Sequence, residues 1–194
     1  LLSLRRLKPM EKNMKRLYDL LSNSTIFVMF TVAIYFVATT NGPAYAAMIE
    51  EQIAAQELQK KVEAYSVATD LSDCELVEVL SIAGFEGQFL KKAWAVSKTE
   101  SNGRPLAYNG NRKTGDNSYG IFQVNMIDNL GDVRRDKYGL TSNSNLYDPI
   151  LNAEVVYRMS KAGKDWSSWP SYGTVRYKEF ITGFPDECLT MKNK

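Results

Sequence analysis

Glu100-Ser-Asn-Gly-Arg-Pro105 and, after a polar loop, Asp116-Asn-Ser-Tyr-Gly-Ile-Phe-Gln-Val-Asn125 form the stretch on which both fold and chemistry turn. Ahead of it, Phe89, Leu90, Ala93, Trp94 and Ser97 recur at three- and four-residue intervals, which predicts a helix over Gly87 to Ser101. Asn102-Gly103 supplies the left-handed reversal that ends it. Glu100 therefore falls in the last helical turn, where the helix dipole disfavours a carboxylate. Held there among apolar neighbours, it should keep its proton to higher pH than an ordinary carboxyl. Residues 104–117 are rich in Gly, Asn, Asp and Pro and predict a loop or a small irregular hairpin near 104–120. Ser118 to Met126 reads as a short helix or an extended block with Ile121, Phe122 and Val124 turned inward.

Working outward, Ser72-Asp-Cys-Glu75 has the spacing of a capping box. The helix it opens would bury Leu76, Val77, Leu80 and Ile82 and stop at Gly84. Asp148-Pro149 opens a later helix, since proline suits a first turn, with Leu151, Val155, Val156 and Met159 available to pack. Arg134-Arg135-Asp136-Lys137 reads as a solvated face. Trp166 and Trp169, spaced by three and flanked by serines, read as packing residues ahead of sugar-stacking ones.

The termini and composition bound the rest. Counted from Met10 or Met14, a basic start (Lys15, Arg16) leads into an apolar run from Ile26 to Ala38 and then Ala44-Tyr-Ala46. This pattern predicts a secretory signal peptide over 1–46, cleaved after about Ala46. The alternative is an uncleaved membrane anchor, although the run is shorter than the roughly 18–20 residues a spanning helix needs. Either way the domain is expected outside the cytoplasm, touching membrane only through an uncleaved leader. Residues 47–70 predict an exposed helical linker, and 71–190 the functional domain.

The chain contains no histidine, which removes Ser-His-Asp and Cys-His nucleophile sites and histidine-based metal sites. Two cysteines alone make no zinc site. In an exported protein they favour one disulfide, Cys74–Cys188, worth about 4–5 kcal/mol in the chain-entropy model. Residues 1–46 carry six Lys/Arg against Glu11 and Asp19, and the remainder carries 18 basic and 20 acidic groups. The functional part is thus near neutral and leaves no footprint for nucleic-acid binding.

The segments Glu100-Ser-Asn-Gly103 and Ser118-Tyr-Gly-Ile-Phe-Gln-Val-Asn125 resemble the lysozyme superfamily, in particular its lytic-transglycosylase-like domains, over roughly residues 75–185. The resemblance implies a mainly α, α+β lysozyme-like fold, with a helical bundle around a glycan cleft. It also implies an enzyme that cleaves the β-1,4 bond between N-acetylmuramic acid and N-acetylglucosamine in peptidoglycan. No cofactor or metal is implied, and a monomer is expected. In the related transglycosylases a segment like Asp148-Pro-Ile-Leu-Asn152 opens the helix that backs the site.

Glycosidic cleavage requires a proton delivered to the leaving oxygen, and Glu100 is the candidate acid. Animal-type lysozymes place an aspartate directly before the Tyr-Gly of this motif; here Ser118 stands there. Without that second carboxylate the resemblance implies a lytic transglycosylase. There one Glu serves as acid and then base while the muramic 6-hydroxyl closes a 1,6-anhydro ring. Asp116 leaves an alternative open, since across a turn it could activate water in a hydrolytic muramidase. As a residue following Gly115 it also suits a plain turn. A non-catalytic glycan-binding module is the second alternative. The resemblance places Gln123 along the cleft. Asn125 is an amide among apolar neighbours that needs partners a saccharide could supply. Tyr119 and Tyr172 could offer rings or hydroxyls to sugars.

Overall fold

A computed structural model describes residues 24–190 of the chain. The basic start of the expected leader lies outside the described residues. The chain forms two compact units, Leu1–Leu58 and Gln59–Lys194. In the first, the described residues belong to helix α1 (Ser24–Ser66), which has Pro43 in its interior and whose last turns belong to the second unit. Helix α1 takes in the apolar run 26–38 and most of the expected linker. No described helix is long and apolar enough to cross a membrane.

The second unit is a mainly helical domain with a small sheet. Helix α2 (Asp73–Ile82) starts on the capping box: Ser72 accepts from the Glu75 backbone amide and Glu75 returns a bond to the Ser72 amide. It buries Leu76, Val77, Val79 and Leu80, and Ile82, expected inward, is partly buried against the same core. Helix α3 (Gly87–Ser101) ends on Asn102 in the left-handed conformation (φ 60°). Ala93, Ala95 and Val96 are fully buried, so several faces of α3 are covered. Small side chains there let neighbouring helices approach closely. Trp94 meets Phe180 and Phe184 edge to face, with ring centroids 6.0 and 5.5 Å apart.

Three two-residue strands follow: β1 (Tyr108–Asn109), β2 (Ser118–Tyr119) and β3 (Val124–Asn125), antiparallel in that order. Tyr108 pairs with Tyr119, and Ser118 with Asn125. The extended reading of 118–126 is therefore the one realised, interrupted by a tight turn at 120–123. Helix α4 (Asp128–Tyr138) and a 3-10 turn (Asn143–Tyr147) lead to α5 (Pro149–Met159), which Asp148 caps by accepting from the Ile150 and Leu151 amides. Helix α6 (Val175–Thr182) packs along α3. A final 3-10 turn (Asp186–Leu189) carries Cys188, bonded to Cys74 on α2 with Cα atoms 5.1 Å apart.

Asn152 joins α5 to the sheet. It is fully buried; its Nδ2 donates to the carbonyls of Tyr119 (3.0 Å) and Leu146 (2.9 Å), and its Oδ1 accepts from the Phe122 amide (3.2 Å). Gly120 (φ 74°) lies against it so closely that a Cβ there would sit 2.2 Å from the Leu146 carbonyl oxygen and 2.3 Å from Asn152 Nδ2. Asn152→Ala would strand three backbone groups in the interior. We expect it to lower stability by about 3 kcal/mol, read as a drop in the urea midpoint at unchanged slope.

Candidate active site

Glu100 sits where the end of α3 meets the β2–β3 turn. The junction is fixed by main-chain carbonyls held by side chains, three of them from elsewhere in the domain. Tyr119 O accepts from Asn152, Gly120 O from Gln123 Nε2 (3.0 Å), Ile121 O from Ser101 Oγ (2.8 Å) and Phe122 O from Trp169 Nε1 (3.0 Å). Four consecutive carbonyls of one turn are thus each held by a different side chain. Gln123 adopts φ 48° without being a glycine. Its amide donates to both Gly120 O and Ala107 O, which anchors a left-handed conformation that a bulky residue resists.

Glu100 is partly buried, and one carboxyl oxygen accepts a hydrogen bond from Ser171 Oγ. Burial pushes its pKa above the usual carboxylate range, the Ser171 hydrogen bond pulls it back, and the negative charge of Asp116 adds a further upward push. Burial leads because a buried carboxylate loses water, and one hydroxyl does not replace a hydration shell. Asp116, tied to Thr114 Oγ1 at 2.7 Å, is at once a turn residue and a charge that Glu100 feels.

The other candidates divide. Ser118 is buried on β2 opposite Asn125. Asn125 bonds within the protein through both ends of its amide: Oδ1 accepts from the Asn117 and Ile127 backbone amides, and Nδ2 donates to Gly115 O at 2.7 Å. These bonds tie Asn125 to the loop that carries Asp116. Gln123 likewise commits its donor to carbonyls of the protein. Tyr119 packs between Tyr108 and Tyr147 (5.0 and 5.4 Å) and donates to Asn117 Oδ1, so ring and hydroxyl are both engaged. Tyr172 is 38 % exposed, stacks on Trp166 at 6.2 Å and contacts Tyr177 at 4.7 Å. Trp166 and Trp169 are buried packing residues. Trp166 stacks near Phe85 and Phe122.

Two residues escaped the sequence reading. Arg134, assigned to a solvated face, is half-buried and donates to the Asn125 carbonyl, because α4 turns that side toward β3. Ser171, 71 positions after Glu100, had no signal beyond its place in a polar, aromatic segment. Among the described residues no group of three or more His, Cys, Asp or Glu could hold a metal ion.

A family model described as a lysozyme-like domain matches residues 77–171. The milk isozyme of lysozyme C from Equus caballus is 30% identical over 108 residues, covering 50% of this chain and 84% of that protein. The chain belongs to the lysozyme-like family. The matched region of this lysozyme-like domain contains Glu100, the β2–β3 turn and Ser171. No solved structure matches the chain. Membership implies a glycosidase with peptidoglycan as substrate, and the mainly α architecture with its small sheet is that of the family.

Proposed function

We propose that the domain is a lytic transglycosylase acting on the β-1,4 bond between N-acetylmuramic acid and N-acetylglucosamine, with Glu100 as its acid and base. Glu100 gives its proton to the O4 leaving atom as the C1–O4 bond breaks. The resulting carboxylate then takes the proton of the muramic 6-hydroxyl as O6 bonds to C1, which restores the acid and consumes no water. The observation that carries this reading is Ser118, uncharged and buried on β2 directly before Tyr119-Gly120, in a domain whose Glu100 has its pKa raised by burial. Export through the expected leader at 1–46 belongs to the same proposal, and the Cys74–Cys188 disulfide supports an oxidising compartment.

A second reading, the hydrolytic muramidase, rests on Asp116, whose charge reaches Glu100. Mass spectrometry of products from purified sacculi separates the two. Anhydro ends, lighter by one water, support transglycosylation, whereas reducing ends that take up ¹⁸O from labelled water overturn it. Asp116→Asn gives an independent check. As transglycosylase, the variant keeps activity within about tenfold, and the alkaline limb of its rate profile moves to lower pH, because Glu100 loses a neighbour opposing its ionisation. A loss of about 10²-fold or more would make Asp116 the base of a hydrolase.

A further inference from the structure

Ser171 belongs to none of the family segments read in the sequence, yet its hydroxyl bonds to the carboxyl on which the proposed reaction depends. It stands in a turn fastened on both sides. Its own carbonyl accepts from Thr174 Oγ1 (2.7 Å) and from the Thr174 amide (3.2 Å), and Thr174 caps α6 by accepting from the Tyr177 amide. On the near side, the Tyr172 amide donates to Trp169 O (3.0 Å) while the Tyr172 ring lies on Trp166. Trp169 in turn holds the Phe122 carbonyl of the β2–β3 turn. The hydroxyl is therefore presented from a fixed frame tied to the same backbone that borders Glu100.

From this arrangement we infer that Ser171 is a positioning residue for Glu100, orienting its carboxyl in both of its protonation states. A serine hydroxyl is both donor and acceptor. It donates to the Glu100 carboxylate and, by rotating its hydrogen, accepts from the Glu100 acid without either side chain changing place. A lysine or an amide N–H in that position could donate to the carboxyl but could not accept the acid's own O–H. A residue that must give up a proton and take one back within one turnover needs the two-way partner. The inference rests on the proposed role of Glu100 and adds the group that keeps it aimed.

Other charges around Glu100 do not duplicate this contact. Asp116, from the loop ahead of β2, opposes ionisation. Lys98, on α3 itself, is paired with Asp73 at 2.8 Å. On α6, Arg176 lies over the Phe180 ring at 5.6 Å, and Lys178 and Glu179 are exposed.

The test is a ¹³C NMR titration of the Glu100 carboxyl in wild type, Ser171→Ala and Ser171→Thr, with pH–rate profiles on sacculi alongside. Ser171→Ala should raise the Glu100 midpoint and carry the alkaline limb of kcat upward with it, since the ionised form loses its donor. It should also lower kcat about tenfold with little change in KM, the size of one lost hydrogen bond to a charged group. Ser171→Thr, which keeps the hydroxyl, should restore both. An unchanged Glu100 midpoint in Ser171→Ala overturns the assignment whatever the rates do. The titration does not need cleavage, so it reads Ser171 even if Glu100 proves not to be the acid. Thermal melts of both variants confirm that the fold is intact.

Discussion

Glu100→Gln should slow peptidoglycan cleavage about 10³-fold, within the range attributed to a single positioned acid or base. The substitution keeps the size of the side chain and still accepts from Ser171, so the site should stay assembled. Only the exchangeable proton is gone. Stability should move the other way. The folded-state pKa of Glu100 lies above its unfolded value, so ionised Glu100 is disfavoured in the fold. That cost is absent below the unfolded pKa, grows as pH rises toward the folded pKa, and is constant above it. Gln carries no such cost, so the variant should melt at or above the wild-type temperature at neutral pH and equal to it in acid. Cleavage by the variant within tenfold of wild type would remove Glu100 from the chemistry.

The second large effect concerns the disulfide. Cys74 and Cys188 are 114 positions apart, and their bond ties α2 to the last turn of the domain. Closing a loop of that length stabilises by about 5 kcal/mol in the chain-entropy model, against the roughly 5–15 kcal/mol typical of a whole domain. Replacing both cysteines by alanine, or reducing the bond, should therefore bring the domain close to its unfolding midpoint at 37 °C. Urea unfolding with and without reductant measures this directly. A difference below about 1 kcal/mol would show that the contact of α2 with the C-terminal turn holds without the bond, and that the unfolded chain is already compact.

Much of the helical frame could be read from local chemistry. The Ser72–Glu75 box and the Asn102-Gly103 reversal sit at the ends of α2 and α3, because capping is settled within four residues of chain. The sheet was less legible, since two-residue strands carry no alternation to detect and are defined by their partners. Asn125 and Gln123 were visible as polar residues in an apolar block, but a saccharide and a backbone carbonyl satisfy an amide equally well. The sequence does not say which is nearer. Arg134 was hidden inside a run of charges that elsewhere faces water. Ser171 was hidden by distance, because a contact across 71 residues exists only once α3 and α6 have packed.

The clamped β2–β3 turn has a consequence for how the molecule comes to be active. Its four carbonyls are held by residues whose partners lie between 3 and 47 positions away, and three of the four come from outside the turn. Closing such long loops is entropically slow compared with forming a helix. The floor beneath Glu100 is thus assembled only after α3, α5 and the Trp169 segment have met. Cutting power is in this sense the last thing the chain acquires, so a half-folded copy has helices but no working blade.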